Sequence, residues 1–304
     1  MSTAFLFPGQ GADLGLVGKE MAEAFPLVRE LVVTALEEIG VGWESLWARN
    51  GRALERTAIL QPVLTAVTLG VDSTLREAGI APGWVAGHSL GEISAWAAAG
   101  GISPRGAIRL AAKRGYLMEE AAREKPGGML AVRIHSRQSL ERALGLGRIS
   151  GRLEFAAHNA PDEFVLVGEQ KALDAVAAAF PSTRLPVAGP WHGSTMGKAA
   201  KEWETLVCSV ETTQLTAAFL SNRTGTVVDD HESIPGSLVE ALTHPVCWAA
   251  TMTTLSREGV NAFVTVGPGK TLRGLIRRNG LDACRVLSTD RPADLRRTME
   301  ELGS

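Results

Sequence analysis

Residues 84–92 read WVAGHSLGE, and this stretch decides how the rest of the sequence is interpreted. It opens with three apolar residues typical of a short strand, and small helix-forming residues follow from Leu90 to Ala99. Between them stands Gly-x-Ser-x-Gly, the pattern of a sharp strand–turn–helix connection that exposes a serine at the edge of a sheet. Glycines at both flanks leave room for the turn, and the N–H groups that open the helix stabilise a developing oxyanion. The stretch therefore predicts a nucleophilic Ser89.

Short apolar strands alternate with helices on both sides of this turn. The other predicted strands of this kind lie at 4–7, 217–221, 262–267 and 284–287, and the longer helices at 18–38, 61–79, 106–123 and 193–210. Such alternation indicates a parallel sheet covered by helices. A chain of 304 residues is long enough for one large domain with a smaller one inserted.

The pattern changes between residues 127 and 192. Strands are predicted at 129–133, 153–157, 164–167 and 184–187, with helices at 136–145 and 170–180. This strand-helix-strand-strand-helix-strand order is that of a ferredoxin-like unit. We therefore expect an α/β fold: an α/β-hydrolase-like large subdomain with a parallel sheet, residues 1–126 and 193–304, and an inserted ferredoxin-like small subdomain, residues 127–192.

Composition excludes several classes of function. The formal net charge is −2 with 21% charged residues, which argues against a nucleic-acid or membrane partner. No apolar run approaches the ~18 residues of a membrane span, and the first residues lack the pattern of a secretory signal. Three widely spaced cysteines indicate neither disulfides nor a zinc site, and Val264 breaks a Walker-like ending at 269–271. We expect a cytoplasmic protein with no metal and no bound cofactor.

A serine hydroxyl needs a base, and the chain offers six histidines. His88 would project away from the turn that carries Ser89, and His231 lies in an acidic loop. His192 stands in the loop 189–193, between a predicted strand and a predicted helix, which can reach the carboxyl edge of the sheet where ligands bind. The remaining three histidines, which are expected to be structural, are His135, His158 and His244.

Further segments extend the pattern along nearly the whole chain. They are FPGQG at 7–11, QP at 61–62, GHSLGE at 87–92, KRGYLM at 113–118, GGM at 127–129, HPVCW at 244–248 and VGPGKTL at 266–272. In this order and spacing, the sequence resembles the malonyl-coenzyme A:acyl carrier protein transacylases and the related acyltransferase domains of polyketide and fatty-acid synthases.

The resemblance implies a two-step acyl transfer. A malonyl-CoA thioester would acylate Ser89 with His192 as base, and the acyl group would pass to the phosphopantetheine thiol of an acyl carrier protein. The oxyanion hole would consist of the backbone N–H groups of Leu90 and Gln10. The family orients its histidine with a backbone carbonyl of an N-P-V-Q-W segment. Here that segment has Cys247 in place of the glutamine, and the Cys247 carbonyl is the expected partner.

The resemblance also implies the residues that select the donor. Arg114 matches the family's specificity arginine, and a planar guanidinium binds a carboxylate bidentately. Trp191, before the base, implies a crowded pocket that favours malonyl over methylmalonyl. Gln61 and Met118, which belong to two of the matching segments, are expected to contact the substrate.

An acidic carrier protein requires a basic docking surface. Four cations fall on or beside one face of the predicted helix after residue 269; they are Lys270, Arg273, Arg277 and Arg278. We expect them to form a carrier-docking face.

Three other functions remain open on sequence grounds. An acyl-thioester hydrolase would share the acyl-serine and differ in using water to resolve it. The acyltransferase subunit of a malonate decarboxylase is a second possibility, although the relatives in that group differ at position 88. A non-catalytic carrier-binding subunit would not need Ser89, His192 and Gln10. The carrier's pathway and substituents on the malonyl group also stay undetermined.

Overall fold

A computed structural model of the protein describes residues 2–144 and 153–303. Its strands are β1 (Thr3–Phe7), β2 (Trp84–Gly87), β3 (Gly128–Arg133), β4 (Leu153–Ala160), β5 (Glu163–Gly168), β6 (Ser182–Arg184), β7 (Ala218–Leu220), β8 (Ala262–Thr265) and β9 (Arg285–Ser288). Its helices are α1 (Val17–Ala24), α2 (Pro26–Ile39), α3 (Trp43–Gly51), α4 (Thr57–Glu77), α5 (Gly91–Ala98), α6 (Pro104–Glu124), α7 (Arg137–Leu144), α8 (Gln170–Ala179), α9 (Gly197–Val207), α10 (Ile234–Glu240), α11 (Trp248–Arg257), α12 (Lys270–Arg278) and α13 (Pro292–Gly303).

Five strands form a parallel sheet in the order β7-β2-β1-β8-β9. The buried apolar runs of β1 and β8 occupy its centre, as expected for strands covered on both faces. Because parallel strands end at one edge, the loops after β1, β2 and β7 meet there. The predicted parallel α/β fold is confirmed.

The other four strands form an antiparallel sheet in the order β4-β5-β3-β6, which is the ferredoxin-like arrangement predicted. Its last strand lies at Ser182–Arg184, slightly before the predicted 184–187. The predicted end of the first helix, residue 145, lies outside the described residues. We propose subdomain boundaries near residues 127 and 192, because every strand of this sheet falls between them.

Alternating side chains give the small sheet two apolar faces. Leu130 of β3 and Leu166 of β5 pack with Leu140 of α7 and Leu173 of α8 in a separate small core. Their strand neighbours, Met129 and Ala131 in β3 with Val165 and Val167 in β5, belong to the main core of the protein. Because successive side chains of a strand point to opposite faces, one face of the small sheet packs against its own helices and the other face packs against the large subdomain.

Helix α4 corrects one expectation from the sequence. By length and composition it could cross a membrane, although no apolar run of that length was expected. However, 89% of the relevant window is buried inside the protein, where α4 packs against α2 and α6. Core helices of soluble proteins have the same composition.

Candidate active site

Ser89 occupies the sharp turn between β2 and α5 with a backbone φ of 53°, in the left-handed region. The flanking glycines allow two stretches of backbone to lie in close contact. A Cβ on Gly87 would lie 1.9 Å from the carbonyl carbon of Gly91. A Cβ on Gly91 would lie 2.1 Å from the carbonyl oxygen of Phe7 in β1. Only glycine fits at both positions, so the sequence imposes the strained turn that exposes the serine.

His192 lies beside the serine. Its Nε2 is 2.7 Å from Ser89 Oγ, and its Nδ1 is 2.7 Å from the carbonyl oxygen of Ala241. A carbonyl can only accept, so Nδ1 carries the proton and Nε2 accepts the hydrogen bond of the serine hydroxyl. Burial, assisted by the charge of Arg114, lowers the pKa of His192 to about 3. The imidazole is therefore neutral at neutral pH and ready to take a proton.

The expected role of Cys247 is wrong. Its carbonyl accepts from the N–H and the hydroxyl of Thr251, within the first turn of α11. The carbonyl 2.7 Å from His192 Nδ1 belongs to Ala241, just after α10 and six residues earlier in the chain, and the backbone of His244, which is in the predicted segment, also acts on the imidazole. Cys247 contacts the site differently, because its N–H donates to the carbonyl of Asn222 over 2.7 Å.

The oxyanion hole was predicted to consist of the backbone N–H groups of Leu90 and Gln10. Leu90 precedes the first turn of α5, and Gln10 lies in the loop after β1. Among the hydrogen bonds of residues 2–144 and 153–303, neither N–H group has an acceptor. The Gln10 side chain is fixed separately: it donates to Thr57 Oγ1 and accepts from Gln61 Nε2. Both N–H groups are therefore available to a ligand.

Arg114 projects from α6 into the interior and is only 3% exposed. Its Nη1 donates to Gln61 Oε1 over 2.9 Å, and its Nη2 donates to Ser89 Oγ over 3.4 Å. Burial lowers its pKa to about 10, against the opposing effect of the nearby Glu92. It remains a cation. Gln61 also donates to Met118 Sδ, so three of the four residues expected to contact substrate, Arg114, Gln61 and Met118, form one hydrogen-bonded group that reaches Ser89.

A pocket of about 300 Å³ opens in front of Ser89 and His192. Trp191, which is buried, is part of its wall. The loop after β1, strands β4 and β5, and the segment 185–187 supply further walls, and α12 supplies Thr271, Leu272 and Leu275. The pocket thus lies between the two sheets, and most of its lining is apolar, as in many ligand sites.

Comparison with known proteins agrees with this geometry. The family model described as the acyl transferase domain matches residues 4–187, more than half of the chain. The malonyl CoA-acyl carrier protein transacylase of Bacillus subtilis strain 168 is 32% identical, over 90% of this chain and 89% of that protein. The chain belongs to the acyl transferase family.

Solved structures of similar proteins have the same fold. The structure of MCAT from Streptococcus pneumoniae aligns with a TM-score of 0.90 and 30% identity, over 99% of this chain and 100% of that one. A chain from the solved complex of a type II PKS acyl-carrier protein with its malonyl-transacylase aligns with a TM-score of 0.88 and 30% identity. That alignment covers 99% of this chain and 100% of that one.

The four cations predicted for docking do not all remain free in this acyl transferase. Arg273 binds Asp290 through both guanidinium nitrogens, and Arg278 pairs with Glu163 and Asp162. Lys270 and Arg277 are exposed. Neither has an ion-pair partner within the part of the chain that the structure describes. The expected cationic face is therefore reduced to these two residues.

Sequence reasoning missed several polar residues of the site. Asn222 follows β7 at the carboxyl edge of the sheet and contacts the turn that carries the serine. Glu92, in the first turn of α5, is 1% exposed and accepts from the Asn222 N–H. Asn159 of β4 accepts a hydrogen bond from His88 Nε2 through its Oδ1 over 2.9 Å. The position of Asn222 after a short strand was the only available signal.

Proposed function

We propose that this protein transfers a malonyl group from coenzyme A to the phosphopantetheine thiol of an acyl carrier protein through an acyl-Ser89 intermediate. The observation that carries the proposal is the buried guanidinium of Arg114, 3.4 Å from Ser89 Oγ. A cation beside the nucleophile favours a donor that brings its own carboxylate. The malonyl transferase names of the similar proteins support the same donor.

In the first half-reaction, Ser89 Oγ attacks the thioester carbonyl while its proton moves to His192 Nε2. The oxyanion that forms is stabilised by the N–H groups of Leu90 and Gln10. When the tetrahedral intermediate collapses, the carbon–sulfur bond breaks, and the leaving thiolate of coenzyme A takes the proton from His192. The product is an ester of malonate on Ser89.

The second half-reaction reverses these steps with a different thiol. The carrier's phosphopantetheine thiol gives its proton to His192 and attacks the ester carbonyl, and Ser89 Oγ leaves with that proton. Throughout, the carboxylate on Arg114 offsets the positive charge that helps to lower the pKa of His192. A bound malonyl group therefore makes the imidazole a stronger base than it is in the free enzyme.

Intact-protein mass spectrometry tests the proposal. Incubation with malonyl-CoA should add the mass of one malonyl group, and peptide mapping should find it on Ser89. Adding an acyl carrier protein with its phosphopantetheine arm should move the group to that protein. The Ser89→Ala variant is the control and should stay unmodified. Rapid loss of the adduct to water without a carrier would instead favour the hydrolase.

Two further expectations stay predictions. The protein is proposed to need no resident cofactor, with coenzyme A and the carrier as substrates only. Dialysis against a chelator should therefore leave acylation unchanged. A cytoplasmic location is tested by fractionating cells that express the protein.

A further inference from the structure

The turn that carries Ser89 needs an external support. A non-glycine residue with a φ of 53° costs on the order of 1–2 kcal/mol, and such strain persists only where the surroundings enforce it. The N–H groups of His88, Gly91 and Glu92 are bonded to backbone carbonyls. The Ser89 N–H has no such carbonyl among the described residues and donates to the side chain of Asn222 instead, over 3.0 Å.

Asn222 contacts the turn at two points. Its Oδ1 accepts from the N–H of Ser89, and its Nδ2 donates to the carbonyl of Gly87 over 2.7 Å. One planar amide therefore fixes the residue before the turn and the nucleophile itself. No other residue type presents a donor and an acceptor at this separation on so short a side chain.

The backbone of Asn222 is itself fixed by two hydrogen bonds. Its N–H donates to Glu92 Oε1 over 2.7 Å, and its carbonyl accepts from the Cys247 N–H over 2.7 Å. It is 2% exposed, so these bonds do not compete with water. Cys247 stands directly before α11 and follows Val246, whose backbone is bonded to β4 of the small sheet. The support is thus anchored in both sheets.

We propose that Asn222 is a positioning residue that sets the reactivity of Ser89 by holding its backbone, without itself contacting the acyl donor. Both polar atoms of its side-chain amide are already bonded to the turn, Oδ1 to the Ser89 N–H and Nδ2 to the Gly87 carbonyl. Removing it lets the turn relax, which moves Ser89 Oγ relative to His192 and to the two oxyanion donors. A displacement of about 1 Å in such a site can reduce rates by roughly 100-fold.

The test measures the nucleophile directly, using a fluorophosphonate that carries a fluorophore. Ser89 Oγ attacks phosphorus, the phosphorus–fluorine bond breaks, fluoride leaves, and the serine proton passes to His192. Asn222→Ala should label roughly 10- to 100-fold more slowly than the wild type. Its kcat with malonyl-CoA should fall by a similar factor while KM stays within about twofold. A general loss of structure would raise KM as well.

Asn222→Asp separates positioning from packing. Aspartate has nearly the same shape as asparagine and keeps an acceptor for the Ser89 N–H. However, a carboxylate oxygen takes the place of the Nδ2 group that donates to the Gly87 carbonyl. It should also label at least about 10-fold more slowly, although no cavity is created. The matched control is Thr254→Val, which removes a 2.7 Å hydrogen bond to the Gly225 carbonyl of the same loop without touching the turn. It should label at the wild-type rate.

The inference rests on Ser89 being the nucleophile, and the outcomes keep the two claims apart. If wild-type protein is not labelled on Ser89, the proposed function fails. If the wild type is labelled and both folded Asn222 variants match its rate, the positioning role of Asn222 is overturned while the proposed function stands. A rise in KM with unchanged kcat would also overturn it, because Asn222 would then contribute to donor binding.

Discussion

Arg114 is the residue that we propose selects the donor. A carboxylate bound to this buried guanidinium gains a charge-assisted pair of roughly 1.5–3 kcal/mol. Arg114→Ala should therefore lower kcat/KM for malonyl-CoA by roughly 10- to 100-fold, at about 1.4 kcal/mol per tenfold. Turnover of acetyl-CoA, which has no carboxylate to lose, should be unchanged or improved. Arg114→Lys should recover only part of the activity, because a point charge lacks the fork of two donors.

Steady-state kinetics with both donors checks this prediction. The matched control is Arg109→Ala, which removes an exposed arginine from the same helix and should leave both donors unaffected. Equal losses for malonyl-CoA and acetyl-CoA in Arg114→Ala would mean that the arginine supports structure and does not select the substrate.

Glu92 makes stability depend on pH in a defined direction. Burial raises the pKa of this carboxyl from 4.5 to about 7, although the Asn222 N–H and Arg114 oppose the shift. Because the folded pKa is raised, the stabilisation is complete below pH 4.5 and is lost as pH rises to about 7. His192, whose pKa is lowered to about 3, has the opposite effect between about pH 3 and 6.5. A variant comparison isolates Glu92.

Glu92→Gln keeps an acceptor for the Asn222 N–H and removes the ionisation. Its free energy of unfolding, relative to the wild type, should rise by roughly 3 kcal/mol between pH 4.5 and pH 8. Urea unfolding at a series of pH values measures this difference. Glu300→Gln makes the same chemical change at an exposed carboxylate on α13 and should show no such trend. A pH-independent difference for Glu92→Gln would contradict the assigned ionisation.

At the residue scale, the sequence could predict the side chains that carry chemistry but not their supports. Ser89 is found from local spacing alone, and the resemblance adds His192, Gln10 and Arg114. The carbonyl of Ala241 could not be found, because a backbone acceptor has no residue type that identifies it. Asn222 could not be found either, because its contact spans 133 residues of chain and depends on β7 lying beside β2.

At the element scale, β1 and α5 lie in close contact because Gly91, the first residue of α5, has no side chain. Gly91→Ala would bring a methyl group to 2.1 Å from the Phe7 carbonyl oxygen, which is backbone at the sheet centre and cannot move aside. The variant should lose about 3 kcal/mol of stability, at the upper end for overpacking. Gly274→Ala in α12 is the control: its Cβ meets nothing within 4 Å, and it should gain roughly 0.5–1 kcal/mol. Thermal unfolding compares them, and equal effects would refute the packing argument.

Element order was predictable because strand and helix periodicities differ, but some boundaries were not. The predicted helix 18–38 is two helices, divided at Phe25, where the backbone is extended. Pro26 opens α2, and it disfavours a helical conformation for the residue before it. Both helices pack on the same core, so the spacing of apolar residues continues across this break. The apolar spacing alone therefore predicted a single helix.

At the scale of the whole molecule, α12 connects the pocket to the outside. Leu272 and Leu275 face the pocket, whereas Lys270 and Arg277 are exposed on the same helix. Arg273 and Arg278 hold the helix in place, because they pair with Asp290 and with Glu163 of the small sheet. We therefore propose that Lys270 and Arg277, which are exposed on a helix that lines the pocket and lack an ion-pair partner among the described residues, dock an acidic carrier protein.

Reversing both charges should therefore weaken the carrier step alone. The Lys270→Glu/Arg277→Glu double variant should lower kcat/KM for the acyl carrier protein by roughly 10-fold at low salt, since 1.4 kcal/mol shared by two charges is enough. The deficit should shrink in 1 M salt, where the screening length falls to about 3 Å. The rate of malonyl addition to Ser89 from malonyl-CoA should stay unchanged, because the first half-reaction involves no carrier. Arg105→Glu/Arg109→Glu reverses the same charge on α6 and should leave both half-reactions as in the wild type. A salt-independent loss, or an equal loss in the control, would show that α12 does not dock the carrier through these charges.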